Sequence, residues 1–92
     1  MADKAAAERI VIIGGGITGL TAAYRLRQKS DCPLTLIESR DRIGGVIESR
    51  ALKINNYDYM IESGADSFIT NKPYALNLAS DLGIQSEIVR VN

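Results

Sequence analysis

The sequence contains no histidine and one cysteine, Cys32. A single thiol forms no internal disulfide, and without imidazole the usual ligands of a structural zinc site are missing. No apolar run approaches the roughly 18–20 residues of a membrane span. An excess of either charge is missing too: eleven basic and eleven acidic residues give a formal net charge of zero. A nucleic-acid surface needs a clustered basic face, and none is visible. With no secretory signal in view, the lone thiol fits a reducing, cytoplasmic setting. Internal repeats, low-complexity runs and linkers are absent as well. The 92 residues suffice for one small domain, below the usual mode of about 100–150. So short a chain buries a small share of its surface.

What the chain does have is concentrated between Arg9 and Glu38. Ile10, Val11, Ile12 and Ile13 form a short β-branched run, which suits a strand buried on both faces of a parallel sheet. Gly14-Gly15-Gly16-Ile17-Thr18-Gly19 follows at once as a G-x-G-x-x-G. Gly19, Ala22, Ala23 and Leu26 then recur at helical spacing, predicting a helix over about Ile17 to Lys29. Leu34 to Ile37 is a second short strand with Glu38 at its end. Strand, glycine turn, helix, strand and acid together make a dinucleotide-binding βαβ fingerprint. Gly14 allows the tight turn, Gly16 lets backbone approach a pyrophosphate, Gly19 lets the helix pack closely, and Gly15 adds room. The free N–H groups around Gly16, Ile17 and Thr18, with the helix dipole, make an anion site. Glu38, about 20 residues on, stands where this fold places its ribose ligand. A carboxylate there repels a 2′-phosphate. That disfavours NADP and leaves NAD and FAD open.

The remaining chain predicts less. Met1 to Glu8 reads as a frayed lead-in. Gly44-Gly45 permits close backbone approach or positive φ, and Arg42 is placed either to pair with a phosphate or to orient its loop. A β-hairpin packed over the cofactor domain is expected from about Val46 to Ile61. Its first arm is Val46-Ile47-Glu48-Ser49, its turn Asn55-Asn56, and its second arm Tyr57 to Ile61. Tyr57 and Tyr59 read as packing residues. A second helix is expected from about Lys72 to Leu82, capped by Thr70 or Asn71, with Pro73 in its first turn. Gly83 is its C′ residue and Ile84 packs back. Ser86 to Asn92 reads as the start of another strand.

Gly14-Gly15-Gly16-x-x-Gly19, followed by Glu38-x-x-x-Arg42-x-Gly44-Gly45, resembles the amino-terminal signature of FAD-dependent amine-oxidase-type flavoproteins. That superfamily includes amine oxidases, carotenoid desaturases and protoporphyrinogen oxidases. The resemblance implies that Gly14, Gly15, Gly16 and Gly19 bind the FAD pyrophosphate, with Ile17 and Thr18 opening the helix beside it. It implies that Glu38 binds the adenosine ribose, that Ser39 lines the adenosine pocket, and that Arg42, Gly44 and Gly45 run beside the cofactor. Glu62-Ser63-Gly64-Ala65-Asp66-Ser67-Phe68 is similar to a stretch of the protoporphyrinogen oxidases, in particular bacterial soluble-type enzymes, with Ala65 standing at the family's proline. That implies flavin-side contacts from Gly64, Ala65, Asp66 and Ser67.

The implied whole protein is an α/β, Rossmann-like flavoenzyme of several hundred residues, of which this chain is the amino-terminal part. It would oxidise a porphyrinogen, protoporphyrinogen IX or coproporphyrinogen III, with oxygen as electron acceptor, in haem biosynthesis. Peripheral membrane contact is compatible with such an enzyme. An amine or carotenoid substrate, or a small nucleotide-binding module without chemistry, are the alternatives. No catalytic residue is named. The chain by itself is expected to be inactive and to self-associate.

Overall fold

A computed structural model describes residues 8–91. Of the expected lead-in, Met1 to Glu8, only Glu8 falls within them. Strand β1 (Ile10–Ile13) leads through the glycine turn into helix α1 (Ile17–Lys29), then to strand β2 (Leu34–Ile37). β1 and β2 pair in parallel, Ile10 opposite Leu34 and Ile13 opposite Ile37. The ladder is extended at both ends, where Ile10 N–H donates to Pro33 C=O at 2.9 Å and Gly14 N–H to Ile37 C=O at 2.7 Å. α1 packs against both strands, and Gly19, Ala22, Ala23 and Leu26 are all half-buried. Arg27 and Lys29 occupy the last turn of α1, where positive charge offsets the carbonyl end of the dipole.

β1 departs from the expected burial on both faces. Ile10 and Ile12 are half-buried, whereas Val11 is 51% and Ile13 84% exposed. Among the described residues the sheet has two strands and one covering helix, and they leave its second face open.

Strands β3 (Ser49–Ile54) and β4 (Tyr57–Glu62) form the antiparallel hairpin, Leu52 opposite Tyr59 and Ile54 opposite Tyr57. Asn55 and Asn56, at φ 50° and 66°, give the two-residue loop positive φ at both positions, as a type I′ turn requires. The first arm therefore starts at Ser49, not Val46. Residues 44–47 are held in a turn in which Ile47 N–H donates to Gly44 C=O at 3.0 Å. Nor does the hairpin pack over the cofactor domain: residues 49–62 are all exposed, and its element contacts are internal. Tyr57 and Tyr59 are cross-strand neighbours of Ile54 and Leu52, not core residues.

Helix α2 (Tyr74–Asp81) starts two residues later than expected. Pro73 occupies the N-cap and no side chain caps the helix, so neither Thr70 nor Asn71 does so. Its end follows the sequence: Gly83 has φ +76°. Gly83 N–H reaches Ser80 C=O at 3.1 Å, and Ile84 N–H reaches Ala79 C=O at 3.0 Å. These are the two bonds of a Schellman cap. In place of the strand expected from Ser86, a 3-10 turn spans Gln85–Glu87, and the described residues after it form no strand. No helix among the described residues is long and apolar enough to cross a membrane.

Candidate functional site

Two glycine turns interlock at the carboxyl end of β1. Gly14, at φ +106°, turns the chain out of the strand into α1. Gly16 is the N-cap residue, with no side-chain cap. The first helical bond runs from Leu20 N–H to Gly16 C=O, leaving the N–H groups of the first turn without intrahelical partners. Gly19 has no room for a side chain, because a Cβ there would overlap the Gly14 carbonyl oxygen. Its role in close helix packing is thus visible directly.

The second turn lies on the first. Gly44 N–H donates to Gly15 C=O at 2.8 Å. A Cβ on Gly45 would stand 3.2 Å from Gly16 Cα. Gly44 and Gly45 have φ of +113° and +60°, so both need glycine's freedom. Between the turns lies a cavity of about 460 Å³ lined by Gly14, Gly16, Ile17, Thr18, Gly19 and Gly44. Ile12, Ile13, Ala22 and Val46 also line it; the sequence marked these four as parts of a strand, a helix or a hairpin and not as site residues. Val46 could have been found from its place directly after the glycine pair.

Glu38 is brought to the same turn. Its Oε1 accepts Gly15 N–H and its Oε2 accepts Arg40 N–H, both at 2.8 Å. The Arg40 and Gly15 amides hold its carboxyl below the usual carboxylate range. Each oxygen keeps a lone pair for a further donor, so a ribose hydroxyl remains within its acceptor capacity. Ser39 follows on the exposed surface. Gly15 itself is buried, with Glu38 Oε1, Leu36 and Ile43 closing in where a Cβ would be. It supports the turn from within and does not line the cavity.

Arg42 turns inward. Its Nη1 donates to Ile43 C=O at 3.2 Å and Ile47 C=O at 3.4 Å. Its Nη2 donates to Gly45 C=O at 2.8 Å and to Glu48 Oε2 at 3.0 Å. Of the two roles left open by the sequence, this is loop orientation. Glu48, which sequence reasoning placed in a strand, is the partner it missed.

Ala65, Asp66 and Ser67 line a different hollow, of about 890 Å³, between α1 and α2. Ile17 lines both hollows, so they adjoin at the start of α1. Gly64 presses on the loop after the second glycine turn, where a Cβ would overlap the Val46 carbonyl oxygen. Across the second hollow, Arg25 of α1 pairs with Asp81 of α2 at 2.6 Å. No group of three His, Cys, Asp or Glu residues able to hold a metal occurs among the described residues.

The residues fit a dinucleotide: an uncapped helix start offers donors to a pyrophosphate, glycine walls leave room for it, and a carboxylate at the adjoining strand end can accept from a ribose. Comparison with known proteins agrees. Coproporphyrinogen III oxidase of Bacillus subtilis (strain 168) is 40% identical over 87 residues, covering 89% of this chain and 18% of that protein. The coproporphyrinogen III oxidase of Staphylococcus aureus (strain NCTC 8325 / PS 47) is 40% identical over 81 residues, 87% of this chain and 16% of that protein. A solved structure of wild-type putrescine oxidase bound to putrescine superposes with a TM-score of 0.68 at 28% identity, covering 83% of this chain and 16% of that one. The names include both branches the sequence resembled, porphyrinogen oxidases and amine oxidases. The chain thus spans about a sixth of the length of these relatives. A family model for the NAD(P)-binding Rossmann-like domain matches residues 12–82, from the first strand through the glycine turns to the end of α2, and the chain belongs to that family.

Proposed function

We propose that this chain is the FAD-binding amino-terminal part of a flavin-dependent porphyrinogen oxidase acting on coproporphyrinogen III or protoporphyrinogen IX. The observation that carries the reading is the interlock of the two glycine turns, Gly44 N–H on Gly15 C=O at 2.8 Å. It joins the dinucleotide fingerprint to the second glycine motif in one cradle. The similarity to coproporphyrinogen III oxidases over most of this chain supports the substrate class.

Bound FAD would supply the redox chemistry, with oxygen as the final acceptor. The chain's own residues bind and orient. The N–H groups at the start of α1 would donate to the pyrophosphate, assisted by the helix dipole. Glu38 would accept from the adenosine ribose beside Ser39. Gly64, Ala65, Asp66 and Ser67 would approach the flavin half, and the hollow that adjoins the cradle at Ile17 supports that direction. A cytoplasmic location is part of this proposal.

An amine substrate is the second reading, favoured by the likeness to putrescine oxidase and by 35% identity to a probable flavin-containing monoamine oxidase A of Dictyostelium discoideum over 84% of this chain. Turnover by the full-length protein separates the two. Purified protein should carry a flavin absorbance and convert a porphyrinogen to a fluorescent porphyrin while leaving putrescine untouched. A flavin-free protein, or one that oxidises only the amine, would overturn the porphyrinogen reading.

A further inference from the structure

Arg42 is the cation nearest the glycine cradle in sequence, and a phosphate partner is the obvious role for it. Its geometry says otherwise. A guanidinium has five N–H donors, and four interactions already engage both terminal nitrogens: Ile43 C=O, Ile47 C=O, Gly45 C=O and the Glu48 carboxylate. Only the Nε donor is left, which excludes the two-pronged clamp that makes arginine a strong phosphate ligand. Its charge is also partly offset by a carboxylate that it shares with Arg50. Glu48 Oε2 lies 3.0 Å from Arg42, while its Oε1 lies 3.2 Å from Arg50 Nε.

These bonds have a mechanical effect. They tie together the carbonyls of residues 43, 45 and 47, the segment that carries Gly44 and Gly45. That segment is docked on the first turn through Gly44 N–H to Gly15 C=O and through the contact of Gly45 with Gly16. We infer that Arg42 and Glu48 form a positioning pair that holds the second glycine turn against the first, so that Arg42 shapes the dinucleotide passage without touching phosphate. The binding half of this inference rests on the FAD reading above; the positioning half does not.

The test uses the full-length protein and two readouts. The first needs no cofactor: hydrogen exchange at the Gly44 amide, which Gly15 C=O protects. Arg42→Ala, Arg42→Lys and Glu48→Ala should each speed that exchange at least tenfold, because lysine keeps the charge but not the fork. The second is FAD affinity by flavin fluorescence titration at low and high salt. Glu48→Ala should weaken binding about threefold to tenfold, although removing an acid near an anion site would tighten it on charge grounds alone. The double variant Arg42→Ala/Glu48→Ala should be no worse than Arg42→Ala, and the losses should not shrink with salt. Unchanged Gly44 exchange in the variants overturns the proposal. So does tighter binding by Glu48→Ala together with near-normal binding by Arg42→Lys, which marks a phosphate ligand. A wild type that binds no FAD sinks the FAD reading instead, and Gly44 exchange still decides the positioning pair.

Discussion

Glu38 has two backbone donors in the folded chain and none held in place in the unfolded one. Its pKa is lowered by the Arg40 amide first and the Gly15 amide second. A depressed carboxylate contributes stability that is fully present above its unfolded value, about 4.3, and is lost as pH falls through the lower folded value. Urea midpoints of wild type and Glu38→Gln should therefore converge as the pH is taken below about 4, with the wild type ahead above it; parallel curves would refute this. If FAD binds as proposed, Glu38→Ala should bind it about tenfold or more weakly in titrations, because the variant lacks the proposed ribose acceptor and has a looser Gly15. Two glycines separate binding from folding. Gly16 has φ −80° and an added Cβ would meet Gly45 Cα at an ordinary 3.8 Å. Gly16→Ala should thus keep its melting temperature and lose FAD affinity. Gly19→Ala, which forces a Cβ into the Gly14 carbonyl, should lower the melting temperature and the affinity together, at a cost of about 1–3 kcal/mol. These glycines and Glu38 were legible because their spacing is the motif. The target of Arg42 was not, since which acceptors a five-donor side chain reaches depends on a fold the linear order does not contain.

At the level of the elements, the sequence was read best where one residue type has a single backbone use. Gly83 ended α2 in the left-handed conformation as expected, and Asn55-Asn56 turned the hairpin. Gly83→Ala should cost about 1 kcal/mol by straining the cap, seen as earlier thermal melting of the helical signal. Asn56→Gly, which relieves positive φ in the turn, should leave the hairpin as stable or slightly more so. The failures share a cause. Val46 and Ile47 have strand-like side chains, but Arg42 and the positive-φ glycines hold them in a turn. Residues 88–91 are equally strand-like and find no neighbouring strand among the described residues to bond. Thr70 and Asn71 are good caps by type, yet Pro73 takes the N-cap position itself. Local propensity marked candidates; long-range partners chose among them.

The described chain has little interior as a whole. Its radius of gyration is 17.5 Å, against about 12–13 Å for a compact domain of this length, and Ala79 is the one hydrophobic residue classed as buried among the described residues. Among the described residues β1 and β2 have no further strand beside them, while Leu52, Ile54, Tyr57, Tyr59 and Ile61 share one uncovered hairpin face. On its own, the 92-residue polypeptide should associate with itself through these edges and faces. Gel filtration should show oligomers, and titration no submicromolar FAD binding. A monomer that keeps its flavin through the column would contradict both expectations. The glycine cradle is different in kind, because its parts are close in sequence. The Gly15–Glu38 bond spans 23 residues, the Gly44–Gly15 bond runs between residues 44 and 15, and the Arg42 grip spans six at most. The entropy of closing such loops rises slowly with their length. The hydrogen bonds that join the two glycine turns and those that hold Glu38 and Arg42 all lie between Gly15 and Glu48, so a ribosome making this protein has supplied both partners of each before Ser49 leaves the exit tunnel.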